Sequence, residues 1–404
     1  MNAAPRCLES SAERRLDITA WAGLLALALA VTVPLHGWPM SDSASLRFFW
    51  LANCVVLVWC AVALVRLRTR EGRDAFAAFG PPECIWACIV VGLLSVATAD
   101  DLVRAGTSAA KTALLFAGTY SLTAAACRRA ERSMHILWIL TVGASACVAH
   151  AWIQRATGPV PVSFFESPLK FGSFLAMVVP ASFVYLSRSQ RLLPAFGAGV
   201  LLLAAMLVCA SFWAVLGMLV GCLGGGLCHP HTRRRAALGV PVVALIVVAA
   251  VWAGRHPALA ADAGWMEADG PDLKQRYIEW QAQVNLLSDR AAVGTGAGCL
   301  NDYRSFYYGR LPKNNTIAPF DQNGWLAAAA ETSLLGLASL CWIFGHFALR
   351  AMRRRGSPLV HAAGAALAGV AVAQIASSIF YNGILVLFVM FLALIEHGPA
   401  REEP

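Results

Sequence analysis

Apolar runs recur along the chain near 18–35, 46–65, 84–99, 107–126, 134–152, 171–187, 192–210, 212–228, 236–253, 323–349, 359–378 and 380–396. Crossing a bilayer takes about 17 to 25 such residues. The pattern predicts an all-α, polytopic membrane protein of about twelve transmembrane helices, one membrane domain over 1–404. The ninth and tenth runs are separated by a long polar interruption, 254–322, which predicts a single long external loop.

Within and just beyond that loop the pattern changes character. From Pro271 the segment PDLKQRYIEWQAQVNLLSD places Leu273, Tyr277, Trp280, Val284 and Leu287 three or four residues apart, one apolar face of a helix. Pro271 suits the first helical turn. A glycine run follows, Gly294, Gly296 and Gly298 at alternate positions, then the aromatic and basic stretch NDYRSFYYGRLPK. FDQNGWLAAAAETSLLG then turns from loop into apolar helix.

Composition sharpens the membrane reading, because 14% charged residues against 58% hydrophobic ones is far from the roughly one quarter charged of a soluble domain. The net charge of +9 does not point to nucleic acid, since the basic residues fall at alternate loops as the positive-inside rule expects. Arg14 and Arg15, Arg66 to Arg73, Arg128 to Arg132, Arg188 and Arg191, Arg233 to Arg235 and Arg350 to Arg355 mark one side. Both termini are therefore expected in the cytoplasm and 254–322 outside, in a bacterial inner membrane. The charged segment before the first run lacks a convincing small-residue cleavage site, so that run is read as a retained helix.

Other candidate chemistry changes little. The twelve cysteines are scattered among the spans, with Cys299 alone in the loop, and the pair Cys84 and Cys88 lacks a His or further Cys to complete a zinc set. No metal or other cofactor is implied. Lys111 and His150 near span ends have snorkelling or interfacial roles available, and Gln374 and Asn382 can hydrogen-bond neighbouring helices.

Taken in order, three blocks resemble the O-antigen ligase and polymerase superfamily of membrane glycosyltransferases. SFFESPLKFGSFLAMVVP is similar to its small external loop and apolar helix ending in proline. RYIEWQAQVNLLSDRAAVGTGAGCLNDY is similar to its arginine and tryptophan helix followed by a glycine loop. FDQNGWLAAAAETSLLGL resembles its entry into the next span, with Glu331 eight residues after Asn323. The chain departs from the family pattern at Cys209 to Trp213, where Phe212 stands in a stretch that carries arginine in the family, and at Gln322, where the family has histidine.

The resemblance implies transfer or polymerisation of a polyprenyl-diphosphate-linked glycan at the outer face of the inner membrane, in lipopolysaccharide or other cell-surface polysaccharide assembly. The partners it implies are that donor, a lipid or glycan acceptor and the bilayer. An acceptor hydroxyl attacks the anomeric carbon and a diphosphate leaves, so the leaving group needs cations, and arginine binds phosphate oxygens bidentately. From 273 to 320 the loop carries six basic residues, Arg276, Arg290, Arg304 and Arg310 among them, against Glu279, Asp289 and Asp302. Arg276 is the expected diphosphate ligand, with Arg304 and Arg310 as further cations. Asp321 is either the base that replaces histidine or an N-cap for the helix beginning near Asn323. Glu331 is either catalytic or an anchor to a neighbouring helix. The run of Gly294, Gly296 and Gly298 is either a turn or an N–H cradle for phosphate, and Gln322 and Asn323 complete the expected substrate contacts. Two alternatives stay open: a weakened relative that assists an assembly complex, and a transporter, which would show broken, repeated helices that the sequence does not reveal.

Overall fold

The computed structural model describes residues 19–26, 54–62, 80–127, 130–157, 163, 165, 167–187, 192–209, 211–227, 273–310, 323–354, 357–380 and 382–398. The described residues are helical, without strands. In chain order the helices are α1 (Glu83–Leu94, continued by a 3₁₀ turn Ser95–Thr98), α2 (Leu102–Ala126), α3 (Ala130–Thr157), α4 (Pro168–Leu186), α5 (Leu192–Val208) and α6 (Phe212–Leu227). After them come α7 (Leu273–Arg290), a 3₁₀ turn Leu300–Tyr303, α8 (Arg304–Gly309), α9 (Gly324–Arg353), α10 (Pro358–Ala373) and α11 (Asn382–His397).

The helix starts are written in the local sequence. Ser167 and Ser357 each precede a proline at the first helical position, and each serine hydroxyl accepts from the N–H three residues on. Asp101 caps α2 by accepting from the Arg104 N–H at 2.9 Å. Pro180 does not end its helix, as the resemblance suggested; α4 runs on to Leu186.

Among the described residues three helices are long and apolar enough to cross a membrane: Arg132–Thr157 within α3, Pro168–Leu186 and Gly324–Arg353. The other apolar helices, among them α5, α6, α10 and α11, have 16 or 17 residues and fall at or just under the usual spanning length. The runs near 18–35 and 46–65 are described only in part, and the run at 236–253 lies outside the described residues.

At the centre α4, α6 and α10 pack on one another with small residues at the seams. A Cβ on Gly217 would lie 2.5 Å from the Gly369 carbonyl, and one on Gly221 2.7 Å from that of Ala365. Gly217, Gly221 and Gly225 repeat every fourth residue, so they share one face of α6 and let the backbones approach. Cys84 is buried in the apolar core, with Cys88 against it. At the end of the bundle opposite the α7–α8 segment, Arg350 on α9 donates to Glu396 on α11 at 2.5 Å, and Arg354 donates to the Gly398 carbonyl.

The predicted helix in the long loop forms, but its packed face differs from the expected one. Glu279, Ala282, Gln283 and Leu286 are buried, whereas Val284, on the predicted apolar stripe, is 46% exposed. The partner decides this. Ala282 and Leu286 share a small core with Ala327 and Ala330 of α9 and with Leu300, Tyr307 and Tyr308, and an alanine stripe admits a close, low-volume face. The segment 273–310 is thus a folded helical unit seated on α9.

Candidate functional site

The seat of that unit is a break in α9. Thr332 (φ −117°, ψ 17°) and Ser333 (φ 70°, ψ 178°) leave helical geometry, which frees main-chain groups on either side. The glycine run fills the gap. Thr295 N–H donates to the Ala330 carbonyl at 2.9 Å, Gly296 N–H donates to that of Glu331 at 3.0 Å, and Leu334 N–H donates back to the Ala291 carbonyl at 3.1 Å. Gly294 N–H closes the end of α7 on the Arg290 carbonyl at 2.8 Å. Gly294 and Gly296 have φ of +70° and +90°, and a Cβ on Gly294 would lie 2.5 Å from the Glu331 carbonyl, so both positions need glycine. The N–H groups of Gly294, Thr295 and Gly296 are therefore committed within the protein.

Beside this joint lies a network of acids, phenols and guanidinia. Arg290 donates to the Tyr303 hydroxyl at 2.9 Å, and that hydroxyl donates to Asp100. Tyr307 and Arg310 both donate to Asp289, at 3.0 and 2.7 Å, while Arg104 grips both oxygens of Asp302. Arg290 also stands over the Tyr303 ring and Arg310 over Phe306. Desolvation, with the bond to Asp100, pushes the Tyr303 phenol up to about 12. Donation from Arg310 and Tyr307 holds the Asp289 carboxyl below its usual value. Arg304, by contrast, is exposed and has no ion pair among the described residues.

The register follows from these contacts. The C-terminal end of α7 meets Leu334 through Ala291, and its Ala282 and Leu286 share a core with Ala327 and Ala330. Hence α7 runs antiparallel to the first half of α9, and buried Glu279 lies toward the first turn of α9. That turn is capped by Asn323, whose side-chain oxygen accepts from Trp325 N–H at 3.1 Å and Leu326 N–H at 3.0 Å. The cap that the sequence offered to Asp321 is thus taken by Asn323. The N–H of Gly324 donates to the carbonyls of Gln374 and Ser377 at 2.8 and 3.0 Å, tying the end of α10 across the start of α9.

Of the expected site residues, Arg276 stands on α7 one turn before Glu279, with its backbone alone described. Asp321 and Gln322 lie outside the described residues. Asn323 and Glu331 occupy the two ends of the first half of α9, and Glu331 engages the glycine run through its carbonyl. Arg310 is paired and Arg304 is not. Phe212 opens α6 and packs edge-on against Trp213. Sequence reasoning singled out Gln374 but missed the burial of Glu279 at 1% exposure, the break in α9 and the burial of Ser377 beside Gln374. Polar residues inside otherwise alanine-rich packing were the available signal for the first and last.

Among the described residues no group of three or more His, Cys, Asp or Glu side chains could hold a metal ion. No family model matches the chain, and no curated protein matches it.

Proposed function

We propose that the chain is a membrane glycosyltransferase that transfers or polymerises a polyprenyl-diphosphate-linked glycan at the outer face of the bacterial inner membrane, with both termini in the cytoplasm. The observation that carries the reading is the antiparallel seating of α7 on the first half of α9. It unites two blocks of the sequence resemblance, the arginine helix with its glycine joint and the Asn323 entry, in one unit at the end of an apolar helix. In this reading Arg276 and exposed Arg304 hold the diphosphate, whose departure needs cations rather than a proton. Asp321, two residues before the cap, is the base that takes the acceptor hydroxyl proton.

The break in α9 favours a second reading, translocation of the same lipid-linked glycan, because discontinuous helices mark transporter sites. Its freed carbonyls are capped by the glycine run rather than left open, so this reading ranks second. The experiment is to analyse lipid-linked glycan in a deletion strain. Accumulated donor on the outer face supports transfer; accumulation confined to the inner face supports translocation.

A further inference from the structure

The two halves of α9 fold back on each other. Trp325 and Phe344 belong to that one helix, yet their ring centroids lie 4.9 Å apart. A separation of nineteen residues spans about 28 Å in an unbroken helix, a gap that side chains do not close. The break at Thr332 and Ser333 therefore turns the chain back on itself.

Helix α10 fixes the level to which the first half returns, because it runs antiparallel to the second half. A Cβ on Gly364 would lie 3.1 Å from that of Ala351, and Trp325, in contact with Phe344, donates its indole N–H to the Ala371 carbonyl at 3.0 Å. Phe344 follows Leu334 by ten residues, about 15 Å along the helix, and Leu334 is the residue that meets the glycine joint. With the joint at the outer end, as in the proposed topology, 334–353 measures about 30 Å and matches the hydrocarbon core. The stretch 324–331 is then a re-entrant half-helix whose start stands near mid-membrane.

Helix ends at that depth have no water to pair with, so their main-chain groups need partners within the protein. Of the last four carbonyls of α10, those of Val370, Val372 and Ala373 accept from the N–H groups of Gln374, Ile375 and Ala376. Ala371 is left over, and the Trp325 indole takes it. Gly324 N–H in turn takes the carbonyls of Gln374 and Ser377. The end of α10 and the start of α9 thus complete each other, and one side chain, Trp325, ties both to the second half of α9.

We propose that Trp325 is a positioning residue for glycan transfer, holding the re-entrant start of α9 at its depth through the bond to Ala371 and the contact with Phe344. The role in transfer rests on the transferase reading; the fold-back does not. Asp321, the base in that reading, precedes Trp325 by four residues, which reach no more than about 14 Å. Anchoring Trp325 keeps that base below the level of the joint, so the acceptor hydroxyl loses its proton inside the bundle.

The test has two arms, both on the full chain in nanodiscs. A benzophenone-bearing phenylalanine at position 344, irradiated and mapped by mass spectrometry, should crosslink within 323–331. Crosslinks to other helices with none to 323–331 overturn the fold-back and the proposal with it. The second arm is transfer kinetics: Trp325→Phe keeps a ring on Phe344 and loses the indole donor, and Trp325→Ala loses both. kcat should fall severalfold in Trp325→Phe and at least about tenfold in Trp325→Ala, with KM for the donor unchanged, because a misplaced group slows the reaction without loosening the bound substrate. Trp325→Phe carries this arm if Trp325→Ala does not fold. Unchanged kcat in the folded variants, or a rise in KM alone, overturns the positioning role. The expected crosslink without any transfer by wild type sinks the transferase reading, and the role of Trp325 with it, and leaves the fold-back standing.

Discussion

The backbone N–H of Gly296 donates to the Glu331 carbonyl at 3.0 Å, joining a loop to the broken centre of an apolar helix thirty-five residues further along. An interrupted helix inside apolar packing exposes main-chain groups whose desolvation costs several kcal/mol unless they are paired. The glycine run supplies the pairing, and the same bonds fix where α7 and its Arg276 sit.

Substituting Gly296 tests that joint. Its φ of +90° disfavours any L side chain, and an added Cβ would overlap Ala99. Gly296→Ala should cost about 1–3 kcal/mol and speed hydrogen exchange at 291–299 and 328–335 before the α4–α6–α10 centre. Unchanged exchange there would show that the joint is not held by this geometry.

Asn323 should behave as a cap. Asn323→Asp should retain stability, while Asn323→Ala should lose about 0.5–2 kcal/mol, read from thermal unfolding in detergent. Equal loss in both variants would point to a role for the Asn323 nitrogen instead.

Alkaline pH should loosen the α7–α8 unit. The Tyr303 phenol is raised from its ordinary 10 to about 12, so the folded state favours the neutral form. The stability it contributes is full below about pH 10, the unfolded value, and is lost as pH rises through about 12. Limited proteolysis of 273–310 between pH 10 and 12 should show this, and Tyr303→Phe should remove that part of the pH dependence.

Arg304 and Arg310 should separate. Arg310 pairs with Asp289 and covers Phe306, so Arg310→Ala should lower Tm by no more than about 3 °C, the scale of an exposed pair. Arg304→Ala should leave Tm alone and weaken inorganic pyrophosphate binding severalfold. The reverse assignment of effects would remove Arg304 from the proposed diphosphate site.

Helix positions were legible because period and capping are local. The apolar runs that fall on described residues, the Ser–Pro starts at 167 and 357, and the helix over 273–290 each follow from a few adjacent residues. The buried face of α7 was not legible, since Trp280, Val284 and Leu287 form the stronger apolar stripe while the alanines of α9 select Glu279, Ala282, Gln283 and Leu286. The break at Thr332 and Ser333 carries no glycine or proline, and what makes it tolerable lies in a distant loop. The glycine run was recognised as special, but the main chain of α9 with which Gly294 to Gly296 lie in register could not be read from it. The pairing of Arg310 with Asp289 depends on a helix turn, Arg304–Gly309, that the aromatic stretch did not announce.

The central claim is that Arg276, carried by α7 beside the first half of α9, holds the leaving diphosphate. The direct measurement is glycan transfer by purified, reconstituted protein with a polyprenyl-diphosphate oligosaccharide and its acceptor, comparing wild type with Arg276→Lys and Arg276→Ala. Wild type should transfer. Both variants should fall about tenfold to a thousandfold while remaining folded, because a lysine point charge lacks the bidentate fork. Normal transfer by folded Arg276→Ala, or none by wild type with authentic donor and acceptor, would contradict the account.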